Sequence, residues 1–453
     1  MAKGVNLHIS TCCPVSFERY SRAMLDINFI RENPDVVRES QRKRGESVEL
    51  VDEVLALDTL RRESLKKFED ARAQQKSMGK KVAAAPKEKK AEVLAEVKAF
   101  SDEVEKLKAD SDKAYADYHA AAWKLSNIVE PEAPEGGEDD YIVVQKTGTI
   151  RDFKAEGFEP KDHLELGELV DGIDVQRGAK VGGSRFYFLK NDVARMEIAM
   201  LTMAFDLARE HGFQNVITPT LVRPEVMGGT GFLNAHADEI YRLREPDDQY
   251  LVGTSEVALA GMHENEILNL ADGPIKYCGW SSCYRREAGA AGKDTHGIIR
   301  VHQFNKVEMF VYCKPEEARD MHQQLLHMEW DMLNKMEVPF RTIDTAAGDL
   351  GASAARKFDN EAWVPTQGRY RELTSTSNCA EYQARRLNIR YRTEDGGTAS
   401  CATLNGTLAT TRWLVAILEN HQQADGSIVI PEAMRPYMGG QEVIKPSTRK
   451  LTA

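Results

Sequence analysis

Several features are missing from this sequence, and each absence excludes a class of protein. The 453 residues contain no apolar run of about 18 residues, so we predict no membrane-spanning helix and no membrane partner. The first residues lack the apolar stretch of a secretory signal. No G-x-x-x-x-G-K-[ST] phosphate loop occurs, and no G-x-G-x-x-G follows a predicted strand. Any bound nucleotide therefore has to be held by side chains on a sheet.

Cysteine is scarce and irregularly spaced. An odd number of cysteines without a regular pattern argues against a disulfide framework and predicts a reducing, cytoplasmic location. The most closely spaced pair in the second half of the chain has no second pair at zinc-ligand spacing, so no zinc is expected. The seven cysteines are Cys12, Cys13, Cys278, Cys283, Cys313, Cys379 and Cys401.

The overall charge is acidic. The formal net charge is -11, with 42% hydrophobic and 29% charged residues, which is typical of a globular protein of two or three domains. An acidic chain binds nucleic acid only through a local basic surface. The search for such a surface leads to the N-terminal third of the chain.

Residues 50–126 are rich in Ala, Glu, Lys and Leu and carry heptad repeats. One apolar seam runs through the second half of this segment, and the first half repeats it with polar exceptions. Gly79 and Pro86 lie between the halves and are expected to break the helix, which predicts an antiparallel helical hairpin of about 50 Å. The second seam comprises Val93, Val97, Phe100, Val104, Leu107, Ser111, Ala114, Tyr118, Ala121 and Leu125.

This predicted arm also carries many basic residues, of which Arg61 and Arg62 lie far from its tip. One interpretation is a solvated coiled-coil face, the usual meaning of such charges. The other is a phosphate-binding surface, which clustering toward the tip favours. The sequence leaves both interpretations open. The candidate tRNA-binding lysines near the tip are Lys76, Lys80, Lys81, Lys87, Lys89 and Lys90.

Composition also suggests the domain boundaries. Residues 1–23 differ in pattern from the segment that begins at Met24, so we expect a disordered extension, with Met24 as a possible true start. Residues 24–129 form the helical arm domain, and the Pro/Gly-containing residues 130–140 form a linker. In residues 141–453, short β-branched and aromatic runs alternate with helical stretches, which predicts an α+β domain on a mainly antiparallel sheet flanked by helices, with a flexible C-terminal tail.

Chemistry-bearing residues concentrate around one Gly/Ala-rich loop. Residues 283–287, Cys-Tyr-Arg-Arg-Glu, precede it, and residues 300–308, Arg-Val-His-Gln-Phe-Asn-Lys-Val-Glu, come after it. An arginine there can stabilise charge on an α-phosphate, and Phe304 can stack on a purine. Each residue alone is more often a surface ion pair or a core aromatic, but their joint appearance is less easily explained in that way.

These residues resemble motif 2 of class II aminoacyl-tRNA synthetases, and the loop residues 292–297, Gly-Lys-Asp-Thr-His-Gly, are similar to those of seryl-tRNA synthetases. Residues 212–219 resemble motif 1, and residues 404–412 resemble motif 3. Thr-Ser-Glu at 254–256 and Glu-Leu-Thr-Ser at 372–375 are similar to two further elements of the seryl family. The resemblance covers residues 24–440 in the family's order, although Thr407 and Arg412 are one residue closer than in many members.

The resemblance implies a serine–tRNA ligase that converts L-serine and ATP to seryl-adenylate and transfers the seryl group to tRNA(Ser), and to tRNA(Sec) where it exists. It implies a homodimer, because motif 1 lies at the subunit interface of this class. Arg285, Glu287 and Arg412 are the implied catalytic residues. The implied serine site comprises Thr254, Ser255, Glu256, Arg285, Glu308 and Thr407. The implied ATP site comprises Arg285, Arg286, Glu287, Val301, Phe304, Glu372, Leu373, Thr374, Ser375 and Arg412, with Glu372 and Ser375 also holding Mg²⁺.

Three other functions remain open from the sequence. The first is a relative that activates an amino acid but loads a carrier protein, which has no need of the arm. The second is a non-catalytic tRNA-binding or regulatory protein, and the third is a structural coiled-coil protein. The presence of Arg285, Glu287, Glu372 and Arg412 counts against the second. Serine-dependent ATP–pyrophosphate exchange distinguishes all of them from a synthetase.

Overall fold

The computed structural model describes residues 26–84, 86–235, 237–288 and 296–448, except for the side chains of residues 79–84 and 234–235. The expected N-terminal extension lies outside the described residues, as do residues 449–453 at the end of the tail. The chain divides into two compact units. We call residues 25–128 the helical unit and residues 129–453 the sheet unit.

Four α-helices lie in the described part of the helical unit. The first starts where the Asp26 side chain accepts a hydrogen bond from the Asn28 N–H, and the second starts at Pro34, a residue suited to the first helical turn. The last two are long and pair along their length. The helices are α1 (Ile27–Glu32), α2 (Pro34–Lys43), α3 (Glu49–Ala84) and α4 (Lys90–Ala122).

The predicted hairpin is confirmed. Val104, Ser111, Ala114 and Ala121, all on the heptad seam of α4, are buried, whereas the positions between seam residues are mostly exposed. The side chains of Gln75 on α3 and Ser101 on α4 hydrogen-bond at 3.0 Å. The expectation that Gly79 breaks the helix is wrong, because α3 continues to residue 84. One glycine costs a helix only about 1 kcal/mol, which the surrounding turns can offset.

Asp58 organises the end of the hairpin away from the tip. Its carboxylate is buried and accepts hydrogen bonds from Arg31, Arg61 and Arg62. Burial opposes ionisation of this carboxyl, but the hydrogen bonds from Arg31 and Arg61 hold its pKa at about 2. Arg61 and Arg62 are therefore engaged in a structural ion-pair network.

Nine further α-helices lie in the described part of the sheet unit. Of all the helices in the described residues, none is long and apolar enough to cross a membrane. The helices are α5 (His163–Leu169), α6 (Val175–Gly182), α7 (Asn191–Glu210), α8 (Pro224–Gly229), α9 (Phe232–Ala235), α10 (Glu256–Gly261), α11 (Ala318–Lys335), α12 (Tyr382–Arg386) and α13 (Trp413–His421).

The strands of the sheet unit match the β-branched and aromatic runs of the sequence. They are β1 (Ile142–Thr147), β2 (Ile173–Asp174), β3 (Phe188–Leu189), β4 (Gln214–Ile217), β5 (Leu221–Val222), β6 (Tyr250–Leu251), β7 (Ile267–Leu268), β8 (Ile275–Tyr284), β9 (Gln303–Cys313), β10 (Phe340–Asp344), β11 (Arg356–Val364), β12 (Arg369–Asn378), β13 (Arg390–Arg392), β14 (Thr398–Ser400), β15 (Ala402–Thr410), β16 (Ile428–Val429) and β17 (Val443–Ile444).

One eight-stranded sheet is the centre of this unit. Its strand order is β1-β10-β11-β12-β15-β9-β8-β4, and every pair is antiparallel except β4 with β8. The apolar side chains of α7, α11 and α13 form one core cluster with residues of β9 and β15. The predicted α+β class with a mainly antiparallel sheet is thus confirmed. The side of the central strands that faces away from this core carries polar side chains.

The segment 130–140, expected to be a linker, is packed against the rest of the sheet unit at its start. Glu130 is buried, and its carboxylate accepts a hydrogen bond from Asn378 at 2.8 Å. Ala133 is also buried and packs with Ala347 and Leu350. These contacts attach the beginning of the segment to the sheet.

Candidate active site

The candidate site forms on strand β9, between β8 and β15 at the middle of the sheet. Because side chains alternate along a strand, Phe304, Lys306 and Glu308 point to the same face. That face opens into a cleft of about 550 Å³, a size suited to a small-molecule ligand. The cleft is lined by Arg285, Glu287, Ile298, Ile299, Val301, Phe304, Lys306, Glu372, Leu373, Thr374, Ser375, Thr407, Thr410 and Arg412.

Glu308 is almost completely buried behind two residues of the cleft lining, Lys306 and Thr407. Its Oε2 atom lies 2.6 Å from the Lys306 ammonium and accepts a hydrogen bond from the Thr407 hydroxyl at 3.0 Å. Lys306 also donates to the Thr254 hydroxyl at 3.0 Å. No described residue donates to the other oxygen, Oε1. This oxygen is therefore the acceptor that a ligand can use.

A β-bulge explains how Thr407 reaches Glu308. Thr407 is directly opposite Glu308, and Ala409 is opposite Val307, so Leu408 is the extra residue on β15. The backbone carbonyl of Thr407 also accepts a hydrogen bond from the Thr374 hydroxyl. The short Thr407–Arg412 spacing therefore does not remove Thr407 from the site.

Glu256 is a second buried carboxylate beside Glu308. Its Oε1 accepts a hydrogen bond from the Gln383 amide at 2.7 Å. Burial and the neighbouring Glu308 raise its pKa to about 7, although Gln383, Lys306 and Arg285 oppose this change. Burial likewise raises the pKa of Glu308, with Lys306 acting against it. The Lys306 ammonium is thus the shared counter-ion of Glu256 and Glu308, and the site favours binding of a second cation beside Glu256.

Arg285 lies at the start of the segment that leads away from β8. Its Nε donates to the Gly253 carbonyl at 3.3 Å, and its guanidinium lies 5.4 Å from the centre of the Phe304 ring. Glu287 has a positive φ of 51° and pairs with Arg300 at 3.2 Å. A guanidinium beside a half-buried aromatic ring that lines the cleft suits a ligand with both a phosphate and a planar ring.

Arg412 closes the other side of the cleft. Its guanidinium donates to the Glu372 carbonyl at 2.9 Å and to the Ile299 carbonyl at 3.1 Å. Burial lowers the pKa of Arg412, and the nearby Arg285 acts in the same direction. Two arginines that repel each other across a cleft favour binding of an anion between them.

A second β-bulge explains why Glu372 and Ser375 both line the cleft. On β12, Thr374 is opposite Asn360 and Glu372 is opposite Glu361, so Leu373 is the extra residue. The alternation of side chains shifts by one, and Glu372 and Ser375 point to the same face despite their odd spacing. Enclosure would raise the pKa of Glu372, but Arg412 and Lys357 hold it below its ordinary value.

Most of the residues expected from the sequence are thus brought together, but five of them are not among the residues that line the cleft: Thr254, Ser255, Glu256, Arg286 and Glu308. Arg286 is exposed and outside the set that lines the cleft, and its backbone N–H donates to the Glu239 carbonyl. Ser255 is buried, and its hydroxyl donates to the Gly279 carbonyl at 3.4 Å. Loop residues 289–295 are outside the described part of the chain.

Sequence reasoning missed Lys306, Ile298, Ile299 and Thr410, which all line the cleft. The two-residue period of a strand was the signal for Lys306, since it stands midway between Phe304 and Glu308. No comparable pattern marks the two isoleucines. Their position depends on where the chain returns to the sheet after the loop.

Comparison with known proteins assigns the family. The profile of the class II tRNA synthetase core domain (G, H, P, S and T) matches residues 241–421, and that of the seryl-tRNA synthetase N-terminal domain matches residues 24–129. The serine–tRNA ligase of Bifidobacterium adolescentis is 77% identical over 94% of this chain and 99% of its own length. The chain belongs to the serine–tRNA ligase family.

Further members of the serine–tRNA ligase family support this assignment. That of Kocuria rhizophila is 60% identical over 93% of this chain and 100% of its own length. The crystal structure of seryl-tRNA synthetase from Pyrococcus horikoshii complexed with ATP has a TM-score of 0.86 and 40% identity, covering 94% of this chain and 100% of that chain. The predicted family, fold class and activity, ligation of serine to tRNA with ATP as substrate, are confirmed.

Proposed function

We propose that the cleft carries out both steps of serine–tRNA ligation, and that its two ends bind the two parts of seryl-adenylate. The observation that carries this proposal is the separation of charge. Glu308 is buried against Lys306 and Thr407 of the cleft lining, with Glu256 beside it, whereas Arg285 and Arg412 line the cleft itself. An amino acid with its ammonium directed inward and its carboxylate directed outward matches this arrangement.

In the first step, a serine carboxylate oxygen attacks the α-phosphorus of ATP. The bond from that phosphorus to the bridging oxygen of the leaving group breaks, and pyrophosphate departs. Arg285, which also contacts the serine carboxylate, stabilises the charge that develops on the α-phosphate, and Glu287 helps to orient ATP. In the second step, a hydroxyl of the tRNA 3′-terminal adenosine attacks the seryl carbonyl carbon, and AMP leaves.

The buried carboxylates account for the choice of serine. Glu256, with Thr254 and Ser255, holds the ammonium group. Glu308 Oε1 accepts a hydrogen bond from the serine hydroxyl, while its Oε2 is held by Lys306 and Thr407. A substrate without the hydroxyl leaves Oε1 without a partner in a buried site, which is a strong basis for rejecting alanine.

ATP occupies the outer part of the cleft. Phe304 stacks on adenine with Val301 beside it, and the strand segment that includes Leu373 and Thr374 borders the phosphates. Arg412 binds the γ-phosphate, and Arg286 contributes from the rim. The side chains of Glu372 and Ser375 fit Mg²⁺, because a carboxylate and a hydroxyl are oxygen ligands that would hold the ion together with the phosphate oxygens of ATP. The metal would neutralise charge on the phosphates when bound.

The lysines at the arm tip are proposed to bind the tRNA backbone. Lys76, Lys87, Lys89 and Lys90 are exposed and form no ion pair with any described residue, whereas Arg61 and Arg62 pair with Asp58. Lys80 and Lys81 belong to the same proposed tRNA-binding lysines, but the structure does not describe their side chains. The cognate RNAs are tRNA(Ser), and tRNA(Sec) where it exists.

A homodimer and a cytoplasmic location complete the proposal. Ile217, on β4 within motif 1, is 72% exposed, and Ile198, on the preceding helix α7, is 56% exposed. Exposed apolar side chains favour burial against a second copy of the chain. Sedimentation at micromolar concentration should give the dimer mass, and a monomeric mass would contradict it.

The experiment that tests the function is serine-dependent ATP–pyrophosphate exchange, followed by charging of tRNA. Serine should support exchange at least about a hundredfold better than alanine or glycine, because the site loses a buried hydrogen bond with those substrates. Exchange without any tRNA charging would favour the carrier-protein alternative. Absence of exchange with every amino acid would overturn the proposal.

A further inference from the structure

The segment that returns to the sheet after the Gly/Ala-rich loop is held by a histidine on another element. His163 is the first residue of α5, and its side chain is buried. The Ile298 N–H donates to its Nε2 at 3.2 Å. On the other side of the ring, Nδ1 lies 2.8 Å from the Glu419 carboxylate, on α13. The imidazole thus connects the return segment to the helix that comes after motif 3.

The partners of Glu419 determine which tautomer His163 adopts. The Glu419 carboxylate accepts hydrogen bonds from the backbone N–H groups of His163 and Thr366 and from the Thr366 hydroxyl. These contacts use it as an ionised acceptor, so His163 Nδ1 carries a proton and donates it. Nε2 accepts from Ile298 and therefore carries none. The geometry requires a neutral imidazole.

Gly297 shows how closely the segment approaches the ring. Its φ is +86°, and a Cβ atom built on it would lie 2.0 Å from His163 Nε2. Only glycine combines this backbone conformation with this proximity. The return segment is therefore seated directly on the imidazole.

The same segment forms a wall of the ATP cleft. Ile298 and Ile299 are buried and line the cleft, and the Ile299 carbonyl accepts a hydrogen bond from Arg412 Nε. Arg412 and Glu419 stand at the two ends of α13. The helix thus holds the segment directly through Arg412 and indirectly through His163.

We propose that His163 is a positioning residue for ATP: its neutral imidazole, oriented by Glu419, fixes the Ile298 backbone so that the wall of the cleft and the Arg412 guanidinium are correctly placed. This inference depends on the proposed function of the cleft. Protonation of His163 would direct an N–H at the Ile298 N–H and release the segment. The charged or titratable groups around the ring are Glu419 on α13, Asp162 at the start of α5, and His296, whose Nε2 lies 2.8 Å from Asp162.

The test is ATP–pyrophosphate exchange at saturating serine, with ATP varied between about pH 5.5 and 8. His163→Leu should raise KM for ATP about tenfold, because the buried Ile298 N–H loses its acceptor, while KM for serine changes less than about twofold. His163→Gln, whose amide offers both an acceptor and a donor, should retain most of the activity. In the unmodified enzyme we expect kcat/KM for ATP to decline toward acidic pH, because protonation of Nε2 removes the acceptor of the Ile298 N–H, and this decline should be absent from His163→Gln.

Two controls make the result specific. His327→Gln replaces an exposed histidine on α11 and should leave the pH profile unchanged. Gly297→Ala should raise KM for ATP by a larger factor in the unmodified chain than in the His163→Ala variant. The strained φ at position 297 is present in both chains, but the clash with the imidazole exists only in the unmodified one. Equal damage in both backgrounds would contradict the seating of Gly297 on the ring.

Other outcomes would overturn the proposal as a whole. If His163→Leu lowers the thermal stability but leaves KM for ATP unchanged, His163 is structural only. If His163→Gln keeps the acidic decline of the unmodified enzyme, the protonation of His163 is not its cause. Failure of the proposed function is distinguishable, since the unmodified enzyme would then show no serine-dependent exchange.

Discussion

Replacing Lys306 by methionine tests the electrostatics of the serine site most directly. Lys306 is buried and is the cation that contacts Glu308, at 2.6 Å, and Thr254, at 3.0 Å. Methionine keeps most of the side-chain volume and removes only the charge and its hydrogen bonds. The change therefore leaves two neighbouring carboxylates, Glu256 and Glu308, without their shared counter-ion.

The size of the effect can be worked out from the burial of Glu308. An uncompensated charge in such a site costs about 3–5 kcal/mol when it stays ionised. Burial already raises the pKa of Glu308, and Lys306 opposes this change, so without Lys306 the pKa rises further and uptake of a proton by the carboxylate limits the cost. We expect a loss of about 2–3 kcal/mol, or about 30- to 150-fold in kcat/KM for serine. The loss should shrink as the pH rises, because a higher pH restores the carboxylate.

The assay is pyrophosphate exchange with serine and with alanine, between about pH 6 and 9. KM for ATP should change little, and the preference for serine over alanine should fall about tenfold, because the orientation of Glu308 is no longer fixed. Lys445→Met, at an exposed position, is the matched control. If Lys306→Met and Lys445→Met both keep the unmodified kcat/KM for serine at every pH, the reasoning is refuted.

Three further predictions concern the cleft and the arm. The pKa of Glu256 is about 7, so at lower pH the serine ammonium has to displace a proton from its carboxyl group. KM for serine should therefore rise about tenfold per pH unit well below pH 7 and level off above it. A KM for serine that stays constant with pH would contradict this. Arg285→Ala and Arg412→Ala should each lower the exchange rate by about 2–4 kcal/mol of transition-state stabilisation without changing the far-UV circular dichroism, and rates near those of the unmodified enzyme would refute their roles. Deletion of residues 60–115 should preserve pyrophosphate exchange but abolish tRNA charging, since the arm buries mainly its own seam; unchanged charging would make the arm purely structural.

Periodicity explains why the elements were predictable. Heptad positions such as Val104 and Ala114 are buried in the hairpin because a helix returns a side chain to the same side every three or four residues. The alternation on β9 could have identified Lys306 in a similar way, because a strand returns a side chain to the same face every two residues. The helix break at Gly79 was wrong, because a local preference of about 1 kcal/mol does not decide a long paired helix.

The sequence by itself determined the family, the α+β class, the helical hairpin and most of the residues in the cleft, because these depend on local patterns and short motifs. Only the tertiary structure decided which atoms meet. The bulges at Leu373 and Leu408 shift side-chain alternation, so that Ser375 and Glu372 both line the cleft and Thr407 hydrogen-bonds Glu308. Contacts of this kind join strands that are distant in the chain. Their register depends on cross-strand pairing, which no local pattern in one sequence records.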